Sequence, residues 1–180
     1  MKNISEQLEI ERRYCVSETL WEDLLFKLGC LRVNYQKDIT WMVENSPSRM
    51  IIERLRLNLG QPPIFMRKNI AKVGVDSQTT SLESVRSVPD VNEEIRSLDS
   101  RYPRDLEISK FRAETSIGPV IICLDYLPVL ESYFVEVEVN SPDFATELDA
   151  TVEALGLSEA ETCRGYGYYI SNDIVPEPSL

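Results

Sequence analysis

The sequence predicts an α+β domain, mainly β: an eight-stranded antiparallel barrel with flanking helices and a charged interior. Three observations predict it. Eight segments alternate with the period of two that marks strands, and most are joined by connections of hairpin length. The first and last of these strands each place acids on a single face, Glu9 and Glu11 in one and Glu136 and Glu138 in the other. Strands between them place bases on a single face, Arg54 with Arg56 and Lys110 with Arg112. Like charges lined up this way repel unless opposite charges face them, and a closed sheet supplies the facing wall.

The first strand is expected over about Glu6–Val16. Ser17 reads as the N-cap of a helix with Glu18 in its first turn. Leu20, Trp21, Leu24, Leu25 and Leu28 form its apolar stripe, and Gly29 is its stop. A long strand is expected over Leu31–Glu44, then a turn at Asn45-Ser46-Pro47-Ser48. The third strand covers Met50–Asn58, and Gly60-Gln61-Pro62-Pro63 turns the chain into a fourth over Ile64–Asn69. Residues 70–80 read as a Ser/Thr/Gly-rich loop, followed by a fifth strand over Thr80–Val88 and a short helix over Val91–Leu98. The sixth strand is Asp105–Thr115, the seventh Val120–Tyr126 and the eighth Tyr133–Asn140. Ser141-Pro142 opens a last helix with Phe144, Leu148, Val152 and Leu155 on its apolar face. The last ten or so residues, with Pro176 and Pro178, read as a flexible tail. The whole chain, 1–180, reads as a single domain.

Composition narrows the function. A net charge of −11 argues against nucleic acid and against an anionic membrane surface as partners. No apolar run is long enough to span a bilayer. The N-terminus has no apolar signal core, so a cytoplasmic location is expected. Cys15, Cys30, Cys123 and Cys163 make no C-x-x-C pair and read as structural thiols. The chain has no histidine. That removes Ser-His and Cys-His nucleophile systems and leaves carboxylates, Lys, Arg, Tyr and oxygen-bound metal to do any chemistry.

If Glu9, Glu11, Glu136 and Glu138 line the interior with Arg13, Arg54, Arg56, Lys68, Lys110 and Arg112, four acids meet six bases. The rest of the chain then holds 26 acids and 13 bases, a net of −13. A basic interior inside an acidic shell must be paired or wet, because enclosing a bare charge costs several kcal/mol. The matching ligand is a polyanion with a metal: Arg forks suit phosphate oxygens, and clustered carboxylates suit Mg²⁺ or Mn²⁺. Lys68 takes the inward place in this register, and a slip of one residue would give that place to Arg67. The competing reading is a solvated sheet face, which any one of these strands would fit by itself.

These segments resemble the CYTH family, the triphosphate tunnel metalloenzymes, which includes thiamine triphosphatase, inorganic triphosphatases and class IV adenylyl cyclase. Glu9-Ile-Glu11-Arg-Arg13 resembles the family's E-x-E-x-K. Arg54-Leu-Arg56 resembles its L-R-x-R strand, and Phe65-Met-Arg-Lys68 its T-x-K strand. Lys110-Phe-Arg112 resembles its K-x-R strand. Leu124-Asp125 with Phe134-Val-Glu136-Val-Glu138 resembles its closing strand pair. The resemblance implies a barrel that forms an open tunnel. It also implies phosphate binding by Arg54, Arg56, Lys68, Lys110 and Arg112. Glu9, Glu11, Glu136 and Glu138 would hold metal, with Asp125 and Glu83 as further candidates, and Glu9, Glu11 and Arg13 would carry the catalytic signature. A homodimer is in keeping with the family. Three departures stand out: Arg13 replaces the family's lysine, Glu53 replaces a leucine, and the fifth-strand R-x-E-x-E is degraded to Leu82-Glu83-Ser84-Val85-Arg86. Arg stays charged where Lys can pass a proton.

The expected activity is metal-dependent hydrolysis of a triphosphate, a reaction that asks the protein chiefly for positioning and charge neutralisation. An adenylyl cyclase in the same tunnel is one alternative, although the His-Phe element of that branch has no counterpart in a chain without histidine. A non-catalytic polyphosphate- or nucleotide-binding module is another, and a salt-bridged structural protein a third. Trp41 and Tyr35 read as outer-face packing, with ring stacking on a substrate as the competing reading. Tyr166 reads as a partial packing residue or as a closure of the tunnel mouth, and Asp125 as a metal neighbour or a strand-end turn residue.

Overall fold

Backbone hydrogen bonds close eight antiparallel strands into a ring. In chain order they are β1 (Ser5–Val16), β2 (Asn34–Asn45), β3 (Arg49–Asn58), β4 (Ile64–Ala71), β5 (Thr79–Ser87), β6 (Arg104–Ile117), β7 (Val120–Leu127) and β8 (Ser132–Val139). Around the barrel the order is β1-β5-β4-β3-β2-β6-β7-β8. Four helices flank it: α1 (Glu18–Lys27), α2 (Val91–Asp99), α3 (Ala145–Ala154) and α4 (Tyr166–Asn172). The computed structural model describes residues 5–30, 32–71 and 79–179. Leu31, the expected start of the second strand, and most of the expected loop over 70–80 lie outside the described residues.

Local chemistry sets the element ends. The Ser17 side chain accepts the Leu20 amide at 3.3 Å, and Gly29, at φ +64°, turns the chain out of α1. Asp90 caps α2 by accepting the Glu93 amide at 3.0 Å. The β6–β7 hairpin turns on Gly118-Pro119, with Gly118 at φ +57° in the first position of a two-residue loop, where glycine meets no steric penalty. Pro142 opens a short 3₁₀ turn, Pro142–Phe144, which leads into α3.

The apolar outer face of the sheet is covered by helices. Val135, Val137 and Val139 of β8 lie under Trp21 and Leu24 of α1 and Leu148 and Val152 of α3, all buried. On the other side Ile39, Trp41, Leu55 and Phe65 pack against Leu98 of α2. Trp41 is fully buried in this outer layer, where its indole N–H donates to Asp99 at 2.8 Å. Tyr35 is also on the outside, its hydroxyl 2.9 Å from Ser109 and its ring edge-on to Phe111. Both aromatics therefore pack on the outer face. Glu53 faces outward too and is 2 % exposed, bonded to Arg67 at 2.9 Å and approached by Arg101. The acid in place of the family's leucine is thus neutralised from outside the barrel, and the partner it uses is the arginine next to Lys68.

A third apolar cluster fills one end of the barrel, where β1 ends and β8 begins. Cys15, Leu127 and Phe134 point inward there and meet Tyr166 of α4. The sequence reading assigned no helix to this segment. Beyond α4 the chain returns to β1: Pro176 is buried, and the Ser179 amide donates to the Cys15 carbonyl at 3.1 Å. All four cysteines are free thiols. No helix among the described residues is long and apolar enough to cross a membrane.

Candidate functional site in the barrel lumen

Strand alternation decides which side chains enter the lumen. In β1 the odd positions point inward, so Glu9, Glu11 and Arg13 stand in a row. Arg13 faces Glu136 across the β1–β8 ladder, and Glu11 faces Glu138. In β4 Lys68 pairs with Glu83 of β5, which puts Lys68 inside and Arg67 outside. In β3 Arg54 and Arg56 point inward opposite Thr40 and Asp38 of β2. In β6 Lys110 and Arg112 point inward, with Arg112 opposite Asp125 of β7.

These groups neutralise one another across the lumen. Arg13 donates through Nε to Glu136 at 2.7 Å and through Nη2 to Glu11 at 2.9 Å. Arg112 donates to Asp125 through two nitrogens, at 2.6 and 2.5 Å, and also to Glu136. Lys110 donates to Asp125 at 2.8 Å. Arg56 makes a two-pronged bond to Asp38 at 2.9 and 3.0 Å, and Arg54 stands 3.7 Å from the same carboxylate. The Lys68 ammonium lies between Glu9, Glu11 at 3.1 Å and Glu83 at 3.4 Å.

All ten residues expected to bind phosphate, hold metal or carry the catalytic signature therefore share the lumen. The expected charge balance does not hold. Among the described residues Asp38, Glu83 and Asp125 join the four glutamates, so at least seven acids meet the six bases and the expected surplus of positive charge is absent. Asp38 was missed, although Gln36, Asp38 and Thr40 alternate with Tyr35, Ile39 and Trp41, a polar-against-apolar pattern that Lys37 alone interrupts. Asp125 is neither at a strand end nor among the clustered carboxylates. It is fully buried inside β7 and accepts from Lys110, Arg112 and the Tyr166 hydroxyl, the last at 2.6 Å. Tyr166 reaches it from the filled end, with the Arg13 guanidinium stacked 4.4 Å from its ring centre.

Three carboxylates, from Glu9, Glu11 and Glu138, offer oxygens that all lie within 4.8 Å of one another. Glu136 is outside this group, with Arg13 and Arg112 holding its two oxygens. Burial drives the Glu138 carboxyl up to about 7, with the Glu136 charge adding to the effect. Burial also raises Glu9 well above the carboxylate range, in spite of Lys68. Glu11 moves the other way: burial opposes its charge, but Lys68 and Arg13 together outweigh burial and hold it ionised. Asp38 is likewise held below the usual range, because Arg56 and Arg54 outweigh the effect of burial. A surface hollow of about 630 Å³ beside Arg12, Tyr14 and Asp149 lies outside the barrel and contains none of this machinery.

No family model matches the chain, and no curated protein matches it by sequence. Solved structures do match in shape. PH1819 from Pyrococcus horikoshii OT3 superposes with a TM-score of 0.71 at 19% identity, over 92% of this chain and 99% of that one. HpAC1 from Hippeastrum, described as a candidate adenylyl cyclase with a dominant triphosphatase activity, superposes with a TM-score of 0.68 at 14% identity. That match covers 93% of this chain and 97% of that one. A candidate adenylate cyclase from Vibrio parahaemolyticus gives 0.65 at 17% identity, over 92% and 98%. The closed ring, its charged lumen and these superpositions agree: in fold, this chain is a CYTH-type tunnel barrel.

Proposed function

We propose that this protein hydrolyses a triphosphate inside its lumen with the help of a divalent cation. The observation that carries the reading is the meeting of three carboxylates within 4.8 Å of one another beside six lumen-facing cations. The triphosphatase activity described for HpAC1, a barrel of the same fold, is consistent with it.

The donor set fits Mg²⁺ or Mn²⁺. Glu9, Glu11 and Glu138 present hard oxygens, and two of them already hold a cation, the Lys68 ammonium. Bound there, a divalent ion would supply Lewis-acid polarisation of phosphate oxygens and of a water molecule. The rest falls to the chain's own residues. Arg54 and Arg56 would trade Asp38 for phosphate oxygens, which offer the same acceptor geometry to a guanidinium fork, and Lys110 and Arg112 would turn their remaining donors to the phosphate chain. Lys68 would swing from the carboxylates to the phosphate chain. Asp125, buried beneath Lys110 and Arg112, would keep both cations aimed while their other donors turn to the ligand. Arg13, tied to Glu11 and Glu136, would orient the metal-side carboxylate and stay charged throughout.

The test is phosphate release from tripolyphosphate under single-turnover conditions with Mg²⁺ or Mn²⁺. The parent protein should release phosphate and Glu11→Ala should lose at least about 100-fold in rate, the scale of one electrostatic contact in a buried site. Absence of release from the parent, or equal rates in the two proteins, defeats the reading. Formation of cyclic nucleotide from ATP in the same assay would favour the cyclase alternative. Tight binding of tripolyphosphate without turnover would favour a binding module.

A further inference from the structure

One step beyond the cation ring, toward the end of the barrel away from Tyr166, two amides face each other. Gln36 of β2 and Asn58, the last residue of β3, are cross-strand partners, and Gln36 Nε2 donates to Asn58 Oδ1 at 2.9 Å. Gln36 points into the lumen, since its neighbours Tyr35 and Lys37 make their contacts outside, with Ser109 and Glu107. It is 4 % exposed, and its Oε1 is buried without a hydrogen-bond partner. A buried acceptor left unmade is costly, so this atom calls for a donor from outside the protein.

The chemistry of what fills it follows from its surroundings. Joined by one hydrogen bond, the two amides leave the oxygen of one and the NH2 group of the other unused, whichever way they are turned. Phosphate has only acceptors and cannot satisfy Gln36 Oε1. A cationic donor is opposed by Lys110, the cross-strand neighbour of Gln36 on its other side, and by Arg56, two residues before Asn58. The ligand group must be neutral and must both donate and accept, and that describes a hydroxyl. Two residues along a strand span about 7 Å, so the amides lie just past the nearest phosphate-binding cations. In a ribonucleoside triphosphate the first neutral donors beyond the phosphates are the ribose hydroxyls.

We propose that Gln36 and Asn58 form a hydroxyl-reading subsite that takes the ribose diol of a ribonucleoside triphosphate. The assignment rests on the triphosphate reading of the lumen and goes further by naming the organic end of the ligand. Gln36 Oε1 accepts one hydroxyl proton, and Asn58 Nδ2 donates to an oxygen of the same diol. A site built around such a bond discriminates strongly against an analogue that lacks the hydroxyl, because its own polar groups are then left bare.

The test is equilibrium binding by calorimetry in Mn²⁺ with three slowly hydrolysed probes: β,γ-methylene ATP, its 2′,3′-dideoxy counterpart and inorganic imidotriphosphate. The parent should bind the ribo form at least about tenfold tighter than the dideoxy form. In Gln36→Met, which keeps the volume and removes the acceptor, that ratio should fall to within about twofold, and Asn58→Leu should lower it independently. Thermal melts establish that each variant is folded. Equal binding of the ribo and dideoxy probes by the parent overturns the assignment, as does an undiminished ratio in both folded variants. Imidotriphosphate binding without a ribose preference sinks the hydroxyl subsite alone, whereas failure of all three probes to bind sinks the triphosphate reading together with it.

Discussion

Asp125 is the residue on which the lumen turns. It is 0 % exposed and accepts from Lys110, Arg112 and Tyr166, so its removal leaves Lys110 and the phenol without this acceptor and Arg112 with Glu136 alone. Asp125→Ala should cost about 3–5 kcal/mol in urea denaturation, the usual result of breaking a buried pair from one side. Tripolyphosphate should raise the melting temperature of this variant more than that of the parent, because the bared cations then gain an anion. Equal shifts would mean that these two cations do not meet the ligand. Glu9 and Glu138 make the opposite contribution. Their folded pKa values lie above those of the unfolded chain, so the folded protein binds more protons. Their contribution to stability is therefore greatest below the ordinary carboxylate value and falls as pH rises, with Glu138 passing through about 7. With chelator present the protein should be less stable at about pH 8.5 than at about pH 6, and Mn²⁺ should reverse that order by taking the place of the protons. A melting temperature that is level across this range without metal would contradict it.

At the scale of elements, α4 and the strand carrying Asp38 show what a sequence conceals. Tyr166, Tyr168 and Tyr169 carry no helical apolar stripe, and Gly165 and Gly167 argue against a helix. The helix is anchored by Tyr166, whose hydroxyl reaches a buried acceptor on Asp125. That reason is not local, so it is not visible before the barrel exists. Tyr166→Phe removes the bond to Asp125 and keeps the ring on Phe134 and Arg13. It should cost about 1.5–3 kcal/mol, the range for a hydrogen bond to a charged group. It should also weaken tripolyphosphate binding, read by calorimetry, and unchanged affinity would reduce Tyr166 to packing. The other strands were legible because acids and bases sorted by face across several strands call for an opposing charged wall, which a solvated face does not supply. Lys68 and Arg67 illustrate the limit of that reading: the pattern left either one inward, and the β4–β5 register put Lys68 opposite Glu83. Asp38 and Gln36 passed unnoticed because a polar face without charge sorting resembles an ordinary wet one. They belong to the lumen only because β2 lies between β3 and β6 in the ring.

For the whole molecule the governing quantity is the contrast between shell and lumen. Net charge is −11, and the lumen carries only a small share of it. An anionic ligand approaches a repelling surface before it meets Arg54 or Lys110. Raising the salt from about 50 to about 300 mM should therefore speed association of tripolyphosphate in stopped-flow measurements while lowering its equilibrium affinity, since both repulsion outside and attraction inside are screened. Association that slows with salt would indicate that the lumen field reaches beyond the mouth. Ring closure has a further effect, on how the chain becomes a protein at all. The first strand finds its second partner in the last, Ile10 beside Val139. On the ribosome, β1 must wait with one bare edge until nearly everything else has been translated. Pairings so distant in sequence form slowly and pass through species prone to stick to one another. The acids of β1 serve the strand in that interval, because glutamates in a row make a poor template for a neighbouring chain.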